Sequence, residues 1–310
     1  MRTIIAIMSV VMMVTLGSAV AEDNLTEETI RFFRKTSDLE QAEIDRCSEI
    51  LRSSLSTGTI GLTQVRMRVE GCFNDFDGFV TLSPFKPVSN AANQRRVNGP
   101  SIRTHVVDTT LVIRLAYFLS DSGDKLKERL ASLSAAQIDE IRDVVIDLVS
   151  DDGGNILGQR DVLKVFAPSE GARFMDVGPS RCEDLKEYYT APARGVLADK
   201  RYSFLVNEDT ASASEWMIAQ MKFLWYPDPE QTTVVGVGAG HTFGKTLVQS
   251  NDPNLKMRVT CGRWTIPGHP IQGVGIQADR VIPVESYDDD EGRIVQTLRP
   301  ILQGATEGKK

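Results

Sequence analysis

Residues 144–154 read VVIDLVSDDGG, and this stretch decides the fold class. A nearly continuous apolar run that ends in acidic residues and a glycine pair is typical of a parallel strand buried on both faces. Similar strand patterns occur at 201–207 and 232–237, with a helical pattern at 212–225 between them. Because strands alternate with helices, the sequence predicts an α/β core spanning about 105–300.

The pattern continues on both sides of these strands. Further strands are predicted at 105–107, 110–115, 256–260 and 273–284. An amphipathic helix is predicted at 124–142, because its apolar residues recur every three or four positions. Residues 22–70 have a helical pattern that Gly58 and Gly61 interrupt, and 72–100 contain the prolines and asparagines typical of a loop or linker.

The first 21 residues read MRTIIAIMSVVMMVTLGSAVA. One basic residue, an apolar run and the small residues Ala19, Val20 and Ala21 are typical of a secretory signal peptide cleaved after Ala21. The apolar run is shorter than the roughly 20 residues that a membrane span needs, so no span is expected in the mature chain. The protein is therefore expected to be exported, either to a periplasm or as a secreted protein. The predicted divisions are a signal peptide at 1–21, an N-terminal helical region and linker at 22–100, and the core at 101–310.

The chain has 310 residues, with 35 Lys+Arg, 42 Asp+Glu and a formal net charge of -7. This acidic balance repels polyanions, and no basic stripe with interleaved aromatic residues offsets it, so a nucleic-acid partner is not expected. A chain of this length buries an adequate core, so a metal is not needed for folding, and no cofactor site is predicted.

The four cysteines lack the C-x-x-C or Cys/His spacing of a zinc site. In an oxidising compartment they are expected to form disulfides, for which three pairings exist. We favour Cys47 with Cys72 and Cys182 with Cys261, because each bond then closes within one lobe.

Three segments at strand ends carry the candidate chemistry: IDLVSDDGGN at 146–155, LVNEDTASASEW at 205–216 and GHTFGKTLVQ at 240–249. Strand ends are where α/β sheets place functional groups. Ser212 in the second segment lies at a predicted helix N-terminus, where free backbone N–H groups favour an oxyanion. Ser212 and Glu215 also match a capping box, so the serine is either a helix cap or a nucleophile.

A nucleophilic serine needs a neighbouring base. The sequence has His105, His241 and His269, but no Asp partner that would complete a triad. Lys245 is the stronger candidate, because apolar neighbours would desolvate its amine and favour the neutral form. Gln249, four residues later, is placed to hold the amine by a hydrogen bond. A solvated surface lysine is the alternative.

Residues 239–246 also fit a relaxed phosphate-loop pattern, with Ala239 in place of the first glycine. A phosphate loop must open a helix, whereas Pro253 leaves only roughly a turn and a half after Thr246. Nucleotide hydrolysis is therefore rejected.

Four motifs occur in a fixed order along the chain: LVNEDTASASE at 205–215, TFGK followed by VQ within 242–249, TIPG at 265–268 and IQGVGIQAD at 271–279. In order and local spacing they resemble the C-terminal processing peptidases, also called tail-specific proteases. The strand IDL at 146–148, followed by a double glycine, resembles the segment that precedes the nucleophile in that family. The resemblance covers about 105–300.

The resemblance implies a serine protease with a Ser-Lys dyad on a crotonase/ClpP-like α/β core. Ser212 is then the nucleophile, Lys245 the general base and Gln249 the residue that orients the base. The oxyanion donors implied are the backbone N–H groups of Ala213 and of Gly153 or Gly154.

The chain departs from the family pattern at Val149, Asp152 and Thr246, where Arg, Pro and Gly are usual, and 225–229 has the character of an insertion. Residues 74–84 resemble the segment that precedes the family's PDZ domain, but too few residues follow before the core for such a domain to fit. Substrate recognition is then expected to depend on the N-terminal helical region, an adaptor or a homo-oligomer.

The sequence thus predicts an exported serine endopeptidase that attacks protein or peptide substrates through an acyl-enzyme and processes their C-termini. The alternative is a non-catalytic protein that uses the same fold as a scaffold to bind a peptide or another ligand.

Overall fold

The computed structural model describes residues 27–28, 30–32, 34–35, 40–55, 72, 81–82, 101–174, 190–244, 247–252, 257–263, 266, 268–269, 271–287 and 291–304. The predicted signal peptide at 1–21 and most of the predicted linker at 72–100 lie outside these residues. Lys245 and Cys182 also lie outside them, as do the side chains of Gln249 and Cys261.

The strands, in chain order, are β1 (Thr81–Leu82), β2 (Ile102–Val107), β3 (Thr110–Leu115), β4 (Asp143–Asp147), β5 (Arg201–Val206), β6 (Thr232–Val237), β7 (Leu247–Asp252), β8 (Met257–Arg263) and β9 (Arg280–Ile282). The α-helices are α1 (Gln41–Leu55), α2 (Ser122–Ala131), α3 (Ala135–Glu140), α4 (Ile156–Leu163), α5 (Ala213–Ala219) and α6 (Glu291–Gly304). Short 3₁₀ turns occur at Lys164–Phe166 and Val284–Ser286, and a π-helical turn at Gln220–Trp225 continues α5. The described residues between 27 and 35 are also helical.

A six-stranded sheet forms the framework, in the order β2-β3-β4-β5-β6-β9. β2 pairs antiparallel with β3, and every later neighbour in this sheet pairs parallel. The connections from β3 to β6 carry α2 to α5, as parallel strands require crossovers. This mixed sheet with helices confirms the predicted α/β class.

The central strands are buried on both faces. All residues of β3 and β4 are buried, which is why their sequences are nearly continuous apolar runs. On one face, apolar side chains of four strands pack against α6, and this cluster contains Val112, Val145, Leu205, Val235, Val237, Ile294, Val295 and Leu298. The alternate residues Ile113, Ile146, Phe204 and Val234 are fully buried as well. Each such side chain contributes roughly 1.5–3 kcal/mol through burial.

Two predicted elements differ from the structure. The helix predicted at 124–142 is two helices, because α2 ends at Ala131 and Ser134 adopts an extended conformation that caps α3. The strand predicted at 273–284 is reduced to β9, since Gly273 and Gly275 have positive φ angles of 77° and 76° and form turns.

The chain divides into two compact units. The α1 unit comprises 1–88, 177–186 and 248–263, and the sheet unit comprises 89–176, 187–247 and 264–310. Residues 248–263, which the sequence analysis included in one core at 101–310, are thus grouped with the α1 unit. The reason is strand pairing: β8 pairs antiparallel with β1 and also with β7, forming a separate three-stranded sheet.

The α1 unit contains a disulfide between Cys47 and Cys72, whose Cα atoms are 5.8 Å apart. These are the two cysteines that we paired from the sequence, whereas the suggested bond between Cys182 and Cys261 involves atoms outside the described residues. None of the described helices has the length and apolar character needed to cross a lipid bilayer.

Candidate active site

The sheet brings two of the three candidate segments to one edge. β4 and β5 are parallel, with Asp147 opposite Leu205, so the loops that follow them leave the sheet side by side. The backbone N–H of Leu148 continues the ladder by donating to Leu205 O at 2.9 Å. The segments at 146–155 and 205–216 are therefore neighbours, as expected for the carboxyl ends of parallel strands.

Hydrogen bonds from polar side chains connect these two loops. Asn207 Oδ1 accepts from the backbone N–H of Ser150 at 2.7 Å, and Asn207 Nδ2 donates to Ser150 Oγ at 3.0 Å. The fully buried Thr210 donates its hydroxyl to Leu148 O at 2.8 Å. The N–H of Ala211 donates to Asp151 O at 3.1 Å. Sequence reasoning missed the roles of Asn207 and Thr210, although small polar residues in a strand-end loop are a signal for such side chain–backbone bonds.

Ser212 lies in the sharp turn between β5 and α5 and is half-buried. Its backbone angles are φ 57° and ψ -121°, which are strained for a residue with a Cβ atom. Strain of this kind costs on the order of 1–3 kcal/mol and is concentrated at functional sites, where the surrounding structure holds it. Ser214, the other serine of the Ala-Ser-Ala-Ser run, is fully buried. Ser212 is thus the serine of this run that a substrate can reach.

The double glycine packs directly against this turn. A Cβ atom on Gly153 would lie 2.7 Å from Ala213 N and 2.7 Å from the Ser212 Cβ, at a positive φ of 103°. Only glycine satisfies both the close approach and the backbone angle. The predicted oxyanion loop therefore does lie beside Ser212.

The three predicted oxyanion donors differ in their hydrogen bonds. Gly153 N–H donates to Oδ1 of the fully buried Asp151 at 2.9 Å. The N–H groups of Gly154 and Ala213 donate to no acceptor among the residues that the structure describes. Gly153 is thus already paired, and the other two are the N–H groups that remain for an anion.

The third segment also contacts the turn. Phe243 N–H donates to Thr210 O at 2.9 Å. Glu215, in the first turn of α5, accepts from Thr242 Oγ1 at 2.5 Å and from Gly244 N–H at 2.7 Å. All three segments selected from the sequence therefore meet around Ser212.

Lys245 follows Gly244 and lies outside the described residues, so its amine is not placed relative to Ser212. Gln249 lies in β7. The residues after Thr246 therefore form a strand, whereas a phosphate loop is followed by a helix. Phe243, which precedes Lys245 by two positions, is 57% exposed.

The histidines make other contacts in the described structure. His241 Nδ1 lies 2.8 Å from Thr242 O, and the His269 ring stacks on Phe223 with ring centroids 3.9 Å apart. His105 is exposed on β2, and none of these rings hydrogen-bonds to Ser212. Within the described part of the chain, no group of three or more His, Cys, Asp and Glu has the arrangement of a metal site.

Comparisons with known proteins give one consistent family. The model of peptidase family S41 matches residues 109–282. A probable CtpA-like serine protease from Staphylococcus haemolyticus is 28% identical over 198 residues, which cover 62% of this chain and 37% of that protein. The chloroplastic carboxyl-terminal-processing peptidase 2 of Arabidopsis thaliana is 24% identical over 273 residues, covering 87% of this chain and 46% of that protein. The chain thus spans about a third to a half of the length of the curated relatives that it matches.

Solved structures share the fold. The photosystem II D1 C-terminal processing protease superposes with a TM-score of 0.61 at 16% identity, over 92% of this chain and 98% of that one. A lipoprotein from Streptococcus agalactiae gives a TM-score of 0.60 at 13% identity, over 92% of this chain and 96% of that one.

Proposed function

Because the chain belongs to peptidase family S41, we propose that it is a serine peptidase that cleaves protein or peptide substrates with Ser212 as nucleophile and Lys245 as general base. The strained turn at Ser212 is the observation that carries the proposal. A helix cap needs no unusual backbone angles, because capping residues adopt ordinary extended conformations, as Ser134 does with φ -69° and ψ 157°. Ser212 forms a capping box with Glu215 as well, but its φ is 57° and its side chain is half-buried at the carboxyl end of β5.

The proposed reaction follows from this arrangement. Ser212 Oγ attacks the carbonyl carbon of the scissile peptide while the neutral Lys245 amine, oriented by Gln249, takes the hydroxyl proton. The negative oxygen of the tetrahedral intermediate accepts from the N–H groups of Ala213 and Gly154. The C–N bond then breaks, and the Lys245 ammonium gives its proton to the leaving amine. A water molecule, deprotonated by the same amine, attacks the ester carbonyl carbon. The bond between that carbon and Ser212 Oγ then breaks, the Lys245 ammonium returns a proton to Oγ, and the acid product leaves.

Apolar side chains next to the site suit an extended peptide substrate. Phe243 and Tyr117 are 57% and 45% exposed. Phe243 donates its backbone N–H to Thr210 O, in the loop that leads to Ser212. Tyr117 lies beside Gly154, because its Cε1 is 3.0 Å from the position that a Cβ atom on Gly154 would occupy. Exposed aromatic rings near these loops provide surfaces for substrate side chains.

We further propose that the protein acts after export. The pattern of residues 1–21 supports this, and so does the Cys47–Cys72 disulfide, because structural disulfides persist in oxidising compartments and are rare in the cytosol. Processing of substrate C-termini is the activity that we propose there, by analogy with the carboxyl-terminal-processing relatives.

The central experiment compares Ser212→Ala with Ser214→Ala on a denatured protein substrate. Ser212→Ala should lower kcat/KM by about 10³-fold or more, because it removes the nucleophile. It should also abolish labelling of the protein by a fluorophosphonate. Ser214→Ala is the matched control, since this serine lies two residues later and is fully buried, and it should keep both activity and labelling.

The competing function is a non-catalytic scaffold. It would be supported if the wild-type protein neither cleaves substrate nor reacts with the fluorophosphonate, yet binds peptides equally well with and without the Ser212 hydroxyl. If Ser212→Ala abolishes peptidase activity, C-terminal processing is tested next. Exported proteins are compared between cells that carry the wild-type chain and cells that carry the Ser212→Ala chain. Substrates should have shortened C-termini only in the wild-type cells, and cleavage confined to internal sites would refute tail processing.

A further inference from the structure

We propose that Glu215 is a positioning residue for this reaction, whose carboxylate fixes the Ser212 turn against the segment that leads into Lys245. The inference rests on the proposed function, because it concerns how the nucleophile and the general base are held in place. Glu215 itself contacts neither a substrate nor the reacting atoms in this scheme.

Glu215 is the meeting point of two loops. Its side chain is fully buried in the first turn of α5. Oε2 accepts from the backbone N–H of Ser212 at 3.1 Å. Oε1 accepts from Thr242 Oγ1 at 2.5 Å and from Gly244 N–H at 2.7 Å. One carboxylate therefore binds both the turn that carries the nucleophile and the residue that precedes Lys245.

The Thr242 hydroxyl links Glu215 to the backbone of Ile276 by donating to Glu215 Oε1 and accepting from Ile276 N–H. Thr242 Oγ1 accepts from Ile276 N–H at 2.8 Å, and Thr242 N–H donates back to Ile276 O at 3.1 Å. One lone pair of the hydroxyl thus faces Ile276, and its hydrogen faces Glu215. Both oxygens of Glu215 act as acceptors, which is the hydrogen-bonding state of an ionised carboxylate.

A buried carboxylate is costly unless several donors satisfy it, so its presence here indicates a specific arrangement. The donors are far from Glu215 in sequence, with Thr242 27 residues and Gly244 29 residues away. Charge-assisted hydrogen bonds are short and directional, so they set the distance between the two loops closely. Proton transfer in the proposed dyad needs that distance to be correct, because a misplacement of about 1 Å costs up to 10²-fold in rate.

A second capping box in this protein shows what a simple cap looks like. Ser134 Oγ accepts from Gln137 N–H at 3.2 Å, and Gln137 Oε1 accepts from Ser134 N–H at 2.9 Å. Gln137 is exposed and its side chain bonds only its own helix terminus among the hydrogen bonds of the described residues. A capping box accepts Glu or Gln at this position, so a cap alone does not require a carboxylate.

This difference makes Glu215→Gln the decisive variant. An amide has one oxygen, so it cannot accept from Ser212 N–H at one atom and from Thr242 and Gly244 at the other. We expect kcat to fall between about 10- and 100-fold, with KM changed less than about twofold, because the reacting groups are displaced while the substrate surface is kept. The rate of fluorophosphonate labelling at Ser212 should fall by a similar factor. Gln137→Glu, the reverse exchange in the exposed capping box, should leave kcat and the labelling rate unchanged.

A second pair of variants covers the case in which Glu215→Gln fails to fold. Thr242→Ser keeps the hydroxyl that donates to Glu215, and Thr242→Val removes it with little change of volume. We expect kcat and the labelling rate to fall at least about threefold more in the valine variant than in the serine variant. Melting temperature and circular dichroism are measured on every variant, so that rates are compared between folded proteins.

The outcomes separate this inference from the proposed function. If Ser212→Ala retains activity, the peptidase proposal fails. If Ser212→Ala is inactive but folded Glu215→Gln keeps kcat within about twofold, the peptidase proposal stands and Glu215 is only a helix cap. Equal rates in the valine and serine variants at position 242 would overturn the positioning role as well.

Discussion

The double glycine shows how strongly a single position is constrained next to the nucleophile. Gly153 has no Cβ atom, and any side chain there would meet Ser212 and Ala213 at distances that real Cβ atoms do not adopt. The neighbouring backbone, rather than a flexible side chain, is what such a Cβ would strike. Relief is therefore possible only by moving the turn that holds the nucleophile.

We expect Gly153→Ala to lower kcat/KM by about 10²-fold or more, because the added methyl group displaces Ser212 and Ala213. Gly171→Ala is a matched control, since Gly171 also has a positive φ, 74°, but no atom lies within 4 Å of its added Cβ. Both variants carry backbone strain of about 1 kcal/mol, and only the first should lose activity. Initial-rate kinetics on folded protein measure the difference, and equal activities would show that the close approach at Gly153 does not control the position of Ser212 and Ala213.

At the level of single residues, the sequence predicted which segments meet but not how they are held. Ser212 was identifiable because a small-residue run between a strand and a helix is a local pattern. The partners of Glu215 were not, because Thr242 and Gly244 lie far away in sequence, and the positive φ of Ser212 has no signal in the residue type. The hydrogen bond from Gly153 N–H to Asp151 could not be predicted from the sequence either, because a carboxylate in a loop has many possible partners.

Among the elements, β5 illustrates how the sheet buries polar groups. Tyr202 on β5 is almost fully buried, its ring centroid lies 4.8 Å from that of Tyr226, and its hydroxyl donates to Leu197 O at 2.7 Å. Burial raises the pKa of Tyr202 well above the ordinary tyrosine value, and burial also raises the pKa of Tyr226. The unfolded chain therefore ionises first as the pH rises, which makes stability fall above about pH 10.

Tyr202→Phe tests this dependence. At pH 8 the variant should be less stable by about 1–2 kcal/mol, because the hydrogen bond to Leu197 O is lost. At pH 10.5 the difference should shrink by roughly 1 kcal/mol, because the wild-type unfolded state gains a tyrosinate that phenylalanine cannot form. Urea unfolding at both pH values measures the free energies. If the wild type and the variant differ by the same free energy of unfolding at both pH values, Tyr202 ionises as easily in the folded protein as in the unfolded chain.

The predicted elements were most accurate where the apolar pattern was strongest. β3, β4 and β6 lie where the sequence predicted strands, because residues buried on both faces leave a continuous apolar run. The break between α2 and α3 was missed, since the apolar spacing continues across Ser132 to Ser134 while the capping box at Ser134 starts a new helix. The turns at Gly273 and Gly275 were read as strand because β-branched neighbours outweighed the glycines.

Over the whole molecule, the two units have different means of stabilisation. The sheet unit has a large apolar core, whereas the α1 unit has the Cys47–Cys72 disulfide, which closes a loop with a sequence separation of 25. A disulfide over a loop of this length stabilises by roughly 3 kcal/mol, chiefly by constraining the unfolded chain.

We expect the double variant Cys47→Ala, Cys72→Ala to destabilise the α1 unit selectively. Hydrogen exchange should become faster for the amides of α1, while the amides of β3, β4 and β5 keep their wild-type protection, because the disulfide lies within the α1 unit. Mass spectrometry of exchanged peptides resolves these segments. An equal loss of protection in β4 would show that the two units unfold as one.

The pairing of β1 with β8 also determines when the α1 unit is completed. Thr81 pairs with Arg258, and Leu82 with Met257, so this sheet joins distant parts of the chain. During synthesis, β3, β4 and β5 all leave the ribosome before residue 207 and are free to pair in the order in which they appear. β1 has no partner until nearly the whole chain has followed it, and contacts of such long separation form slowly. The sheet that contains β1 is thus completed only after β2 to β6 of the other sheet have all been synthesised.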